Sequence, residues 1–406
     1  SFESPMAATE LVLGTTNTKA KRSWKALLLR VTLAFGLSIV LLEASLHFLL
    51  FSENPTIVKA TKEIRDPDLW SNYRYDSTYW KLSHLWNRNV QREGVPANAD
   101  PILGWRPNTI REDYSVVTAA PPVNRRPVVL YGDSFARGVT EWKESYEALF
   151  MSSETGDDYA LFNHGVGGYG LGQSYLMMLN SVDMYVDHNP VVIFSFLVPD
   201  DLYRIGADFR GWAKPYFTAE DGKLVLHELE TNDPSVFFEK HPLSVGSLTW
   251  RGLLHGTKLL PEAWVHKLLG QERAEAQIEV VTELLLSEAK AKLDSLGVDW
   301  FVLLFQSESD TRALTVPNRE EEFVRRTLDK LGMPYVATRS DLWQYAKRNQ
   351  ASLSTLFVQP PAYGSGHFSG AGNRATMATI ERGIHGDFET EFLPGPRPGD
   401  NKKAAQ

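Results

Sequence analysis

The chain has 406 residues, too many for one small core and enough for one large or two modest domains. Hydrophobic residues at 43% and charged residues at 23% give a globular composition, which excludes a wholly disordered or collagen-like chain. The net charge of −8 argues against a general nucleic-acid binder, and the absence of cysteine excludes thiolate catalysis, iron–sulfur clusters, Cys-based zinc sites and disulfides.

Near the N-terminus, Val31–Leu50 is an apolar run broken by one formal charge, Glu43, and by His47. At ~1.5 Å per residue it spans about 30 Å, the thickness of a bilayer's hydrocarbon core. Lys19, Lys21, Arg22, Lys25 and Arg30 precede it, and only Lys59, Lys62 and Arg65 follow closely. The positive-inside rule then expects residues 1–23 in the cytoplasm and everything after about 52 outside. A cleaved signal peptide fits less well, because the run is long and Leu42-Glu43-Ala44-Ser45-Leu46 lacks a small-x-small cleavage site. A carboxylate inside a span is costly unless paired or near an interface, so Glu43 points to the outer interface or to a helix partner in a membrane complex.

Residues 52–98 are polar and aromatic, a stalk or short packing helices, and 99–126 read as loop. A strand–helix rhythm then begins. Pro127–Tyr131, Tyr159–Asn163 and Val191–Leu197 are short apolar runs with the character of buried strands, separated by helices expected at Ser145–Met151 and Leu171–Val186. Residues 205–270 interrupt the rhythm, with an Asp221-Gly222 turn signalling a hairpin. A long helix follows at about 272–296, with Ile278, Val281, Leu285 and Ala289 on one face and Gly297 after its end. Trp300–Phe305 is a fourth strand. Asn318 caps a helix to Leu331, Tyr335–Thr338 is a fifth strand, and a last helix follows Ser369. Such alternation predicts a parallel sheet covered by helices on both faces, with ligands bound beyond the carboxyl ends of the strands.

The loops at that end carry the chemistry-bearing residues. Gly132-Asp133-Ser134-Phe135 follows the first strand and places a hydroxyl at the start of a helix, a position for a nucleophile or simply for a capped turn. Gly165-Val166-Gly167-Gly168-Tyr169-Gly170 follows the second strand and matches a G-x-G-x-x-G string, which serves either a dinucleotide or close backbone approach to an acyl oxygen. Asp200, Asp201 and Arg204 follow the third strand and could pair or bind substrate. His367 lies in a Gly/Ser loop before the last helix, at the same end of the sheet as Ser134.

Together these blocks resemble the SGNH/GDSL hydrolase superfamily: Gly132-Asp133-Ser134, Asn163-x-Gly165-x-x-Gly168, Asp200-Asp201 and His367, in that order. They are similar in particular to membrane-anchored bacterial SGNH proteins, through Glu43 late in the anchor, Asp100-Pro101-Ile102-Leu103-Gly104-Trp105, and Lys214-Pro215-Tyr216-Phe217 followed by Asp221-Gly222-Lys223-Leu224. The resemblance implies a flavodoxin-like α/β three-layer sandwich with a five-stranded parallel sheet, preceded by one transmembrane helix. It implies a tail over 1–23, an anchor over 24–51, a stalk over 52–125, an SGNH-type domain over 126–390 with an insert at 205–270, and a disordered tail over 391–406. It further implies ester hydrolysis or acyl transfer on an acylated glycan or lipid-linked ester, at the outer side of a bacterial inner membrane, with no cofactor or metal and no nucleic acid. Ser134 would attack, His367 would move the proton, and Ser134, Gly168 and position 200 would form the oxyanion hole. Two departures stand out. Asp200 replaces the family's Asn, and an ionised carboxylate donates no hydrogen bond. Gly364 and Ser365 stand where an Asp normally orients the histidine, leaving Asp341 or Asp310 as substitutes. A catalytically degenerate domain used as a binding or scaffold subunit is the alternative these departures motivate. Trp212, Tyr216, Phe217 and Trp250 of the insert are candidates for an aromatic lid.

Overall fold

The computed structural model describes residues 18–74, 77–86, 98–117, 124–257, 261–268, 270–312, 318–362 and 364–389. The expected tail over 391–406, and residues 1–17 of the expected cytoplasmic tail, lie outside them. The chain divides into two compact units, one made of Ser1–Trp70 with Val245–Leu260 and the other of Ser71–Ser244 with Pro261–Gln406. The expected stalk and insert thus divide between units, the stalk at Trp70 and the insert around 245–260.

The first unit is built on the helix Thr18–Phe51. Its segment Trp24–Phe51 is the one helix among the described residues long and apolar enough to cross a membrane. Arg65 closes the helix end by donating to the carbonyls of Leu49 and Ser52. Glu43 is held within the chain. Its carboxylate accepts from Ser247 Oγ (2.9 Å) and from the backbone N–H groups of Leu248 (2.7 Å) and Thr249 (2.9 Å). These N–H groups open the helix Leu248–His255, and a carboxylate there satisfies donors with no partner inside the helix and complements its dipole.

The second unit carries the sheet. Five parallel strands, here β1 (Arg126–Gly132), β2 (Tyr159–Gly165), β3 (Val191–Val198), β4 (Asp299–Gln306) and β5 (Tyr335–Ala337), lie in the order β2-β1-β3-β4-β5. Alternate side chains feed opposite layers, which is why the strands read as continuous apolar runs. Val129, Tyr131, Val192, Phe194, Val302 and Leu304 pack under the helices Leu171–Ser181, Gln271–Leu296 and Arg319–Leu331. Val128, Leu130, Ile193, Phe301, Leu303 and Val336 pack under Tyr146–Met151, Thr338–Arg348 and Gly370–Ile384. The strand order reverses between β1 and β3, so the switch-point crevice opens at their carboxyl ends.

The helix expected over Leu171–Val186 stops at Ser181 and continues as a 3-10 segment, Val182–His188, ending at a left-handed Asn189. Asn318 caps its helix by accepting from Glu321 N, and the Asp221-Gly222 turn joins Tyr216–Glu220 to Lys223–His227.

His164, on β2, is wholly buried against the Tyr131 ring, with Nε2 2.9 Å from Tyr185 Oη and no partner on Nδ1 among the described residues. Burial drives its pKa down to about 3. The unfolded chain therefore takes up this proton below pH ~6.5 while the folded chain does not. Stability is expected to fall by about 1.4 kcal/mol per pH unit through His164 alone, between pH ~6.5 and ~3. Chemical denaturation of the full chain across this range should give a shallower slope for His164→Gln; an unchanged slope refutes the assignment.

Candidate active site

Ser134 begins the short helix Ser134–Arg137 directly after β1, and Asp133 caps that helix through Phe135 N (2.8 Å). The turn is tight. A Cβ on Gly165 would lie 2.4 Å from Arg137 N, so the β2 loop can approach only as glycine. Asn163 ties the same two loops, donating to Ala136 O (2.9 Å) while accepting from Gly165 N (2.9 Å). Gly168 adopts φ +87°, a backbone shape that glycine takes without penalty. The G-x-G-x-x-G string is therefore used to fit the Ser134 turn, which removes the need for a dinucleotide to explain it.

His367 Nε2 lies 2.8 Å from Ser134 Oγ. The ring stacks on Phe135 at 4.9 Å, and Nδ1 is 3.0 Å from the carbonyl of Gly364. A carbonyl can only accept, so it holds the proton on Nδ1 and leaves Nε2 to receive one from Ser134. Neither carboxylate considered as a substitute reaches the ring. Asp341 accepts from Thr379 and Arg382, and Asp310 from Ser307 and Asn318. The orienting group is a backbone atom, which no sequence motif marks.

Behind the turn sits a buried charge cluster. Arg204 Nη1 donates to Asp201 Oδ1 (2.7 Å) and to Tyr169 O (2.8 Å) and lies 3.7 Å from Asp133 Oδ2. Asp201 also accepts from Leu197 N (2.8 Å). Burial raises the Asp133 carboxyl, with Arg204 opposing it; burial and then the Asp133 charge push Asp201 well up. Asp201 and Arg204 were expected to bind substrate. They are instead occupied with each other and with backbone, so the assignment is corrected to a structural one. Asp200 points back to Arg204 (3.6 Å) and does not line the cleft, which removes it from the oxyanion hole. Among the described residues the N–H groups of Ser134 and Gly168 have no acceptor.

The cleft over Ser134 and His367 measures about 1550 Å³ and is lined by Trp105, Trp142, Trp212, Arg137 and Arg210 among others. A smaller cavity of about 230 Å³, beside Tyr203 and Phe217, touches neither Ser134 nor His367. Trp105, from the Asp100–Trp105 block, donates its indole N–H to Gly167 O (3.1 Å), and Asp100 shapes that block by accepting from Ile102 N and Leu103 N. Arg210 was not singled out in the sequence. It donates to Gly168 O (2.8 Å) and lies over the Trp80 ring, and burial lowers its pKa to about 9. Its only signal was an arginine amid aromatics in the insert. The expected lid is not assembled: Trp212 lines the cleft, Phe217 is core, Tyr216 stacks on His227, and Trp250 belongs to the other unit.

Removing Arg204 leaves two buried carboxylates uncompensated. Arg204→Met is expected to cost about 3–5 kcal/mol near neutral pH. The deficit should shrink as pH falls, because protonated Asp133 and Asp201 need no counter-charge. Denaturation midpoints of the full chain at pH 7 and 4.5 check this; a pH-independent deficit contradicts it.

No protein-family model matches the chain, and no curated protein matches it. Solved structures similar to it include an acetyl xylan esterase at 15% identity and TM-score 0.35, covering 64% of this chain and 99% of that one. They include a lipase/acylhydrolase from Enterococcus faecalis at 14% identity and TM-score 0.30, covering 66% and 100%. A member of the lipolytic G-D-S-L family from Veillonella parvula gives 12% identity and TM-score 0.31, covering 63% and 97%.

Proposed function

We propose that the protein is a membrane-anchored serine esterase or O-acyltransferase of SGNH type, acting on an acylated glycan outside the cytoplasmic membrane. The observation that carries this reading is the 2.8 Å contact between His367 Nε2 and Ser134 Oγ, at the floor of the switch-point cleft. That distance is hydrogen-bond reach for general-base activation of a hydroxyl.

In this reading the Ser134 oxygen attacks the acyl carbon while its proton passes to His367 Nε2. The N–H groups of Ser134 and Gly168 hold the developing oxyanion. The intermediate collapses by expelling the glycan oxygen, which takes the proton back from His367, and leaves an acyl group on Ser134. A water or an acceptor hydroxyl, deprotonated by His367, then attacks that acyl group and frees Ser134. Gly364 O fixes the ring tautomer but carries no full charge. It stabilises the imidazolium less than a carboxylate does, so a slow enzyme is expected. Trp105, Trp142 and Trp212 favour a glycan over a lipid ester, since flat apolar faces beside polar edges suit sugar rings. Support for the anchor is the apolar segment Trp24–Phe51, whose residues 24–42 are exposed on every side, and the basic residues that precede and open it.

A fluorophosphonate probe is expected to label Ser134 in the full chain. Ser134→Ala should abolish the label, and His367→Ala should slow it by about 100-fold or more. A folded protein that resists the probe has no activated nucleophile, and the scaffold role then replaces this reading. The mapped site decides it by mass spectrometry.

A further inference from the structure

The cleft has a charge character opposite to that of the chain. The protein carries a net −8, yet among the described residues four arginines (Arg106, Arg125, Arg137 and Arg210) line the cleft and Glu147 is the only acidic side chain lining it. Two of the four are accounted for. Arg106 donates to Ile110 O and lies 3.5 Å from Asp100, and Arg210 donates to Gly168 O. Among the described residues, Arg137 and Arg125 have neither a carboxylate nor a carbonyl partner.

Arg137 is placed for a particular task. It lies three residues after Ser134 on one helical turn, so the two side chains share a face. Its guanidinium runs along the oxyanion loop: a Cβ on Gly167 would be 3.3 Å from Nη1. Exposed Trp142, 65% accessible, lines the same cleft. A guanidinium lining the same cleft as the Ser134 hydroxyl, with no carboxylate or carbonyl on its donors among the described residues, presents a planar fork that matches an oxyanion group.

We propose that Arg137 reads an anionic group on the substrate, next to the acylated hydroxyl, and that the glycan is therefore an acidic one bearing carboxylate or sulfate groups. Arg125, farther along the same cleft, serves a second anionic group of the chain. This inference rests on reading the cleft as the ester site.

The test uses the full chain in detergent with Ser134→Ala, so that binding is measured without turnover. The probes are an oligogalacturonate, its neutral methyl ester and a sulfated dextran oligomer. At least one anionic probe should bind about tenfold or more tighter than the neutral ester, a preference that weakens with salt. Arg137→Gln in the same background should bring anionic and neutral ligands to within about threefold, and Arg137→Lys should retain part of the preference. Equal binding of all three probes overturns the inference, as does a preference that survives Arg137→Gln. Displacement of the glycans by phosphatidylglycerol vesicles, but not by phosphatidylcholine ones, assigns the arginine to a lipid headgroup and overturns it too. Failure of the esterase reading looks different. The charge preference then persists while the wild-type chain neither takes the fluorophosphonate nor moves acetate off an O-acetylated form of the oligogalacturonate, added as a substrate.

Discussion

The site depends on one guanidinium. Arg204 reaches the loop after β1 through Asp133, the loop after β2 through Tyr169 O and the loop after β3 through Asp201. Each of these three loops is a short turn that also sends apolar side chains into the core, Phe135, Tyr169 and Leu202 among them. Tied to a common cation they form one body, and Asp133 in turn fixes the Ser134 turn through Phe135 N. Replacing all three charges together by apolar side chains could fill the same space, but it would not specify how three loops meet. Burying these charges makes the arrangement sensitive to the loss of any member, since each carboxylate is tolerable only beside the cation. The close approach of Gly170 to Arg204, where a Cβ would lie 2.5 Å from the arginine's own Cβ, belongs to the same design.

Much of the architecture was legible because it follows from burial. The five strands read as apolar runs since both faces of a parallel sheet are covered, and Val281, Leu285 and Ala289 marked the buried face of Gln271–Leu296 by their spacing. Ser134 and His367 were legible because the strand order sends both loops to one end of the sheet. What the sequence could not show depends on atoms without side-chain identity or on distant pairing. The orienting acceptor for His367 is the Gly364 carbonyl, and every residue has one. Asp200, Asp201 and Arg204 form a charged string suited equally to a ligand or to one another, and only the position of Asp133 decides for the latter. Arg210 comes from a segment with no periodicity, and its partner is again a backbone oxygen, that of Gly168.

Glu43 shows the same principle in the other unit. A carboxylate late in an apolar helix is a liability, and the sequence offers only His47 nearby, four residues on and 3.3 Å away. The hydrogen bonds come from about 200 residues away, where Leu248 and Thr249 present free N–H groups at the start of a helix. The two liabilities, an unpaired carboxylate and unpaired helix donors, cancel. The segment 245–260 is thereby tied to the apolar helix and groups with it, apart from the hairpin at Tyr216–His227 that precedes it in the same insert.

The chemistry of the site follows from how charge is distributed around Ser134. Asp133 stands one hydroxyl away from His367, with Oδ2 3.3 Å from Ser134 Oγ, and the imidazole lowers the Asp133 carboxyl against the dominant effect of burial. Arg204 lies against the same carboxylate and opposes its burial more strongly than the imidazole does. The group that holds His367 directly is neutral. The ring thus has a carbonyl acceptor on one side and, across the Ser134 hydroxyl, a carboxylate shared with a guanidinium. Such an arrangement keeps the histidine in one tautomer and one orientation. If the proposed acyl-enzyme forms, it would rely on the Ser134 and Gly168 N–H groups and on binding in the cleft, rather than on a strongly charged relay.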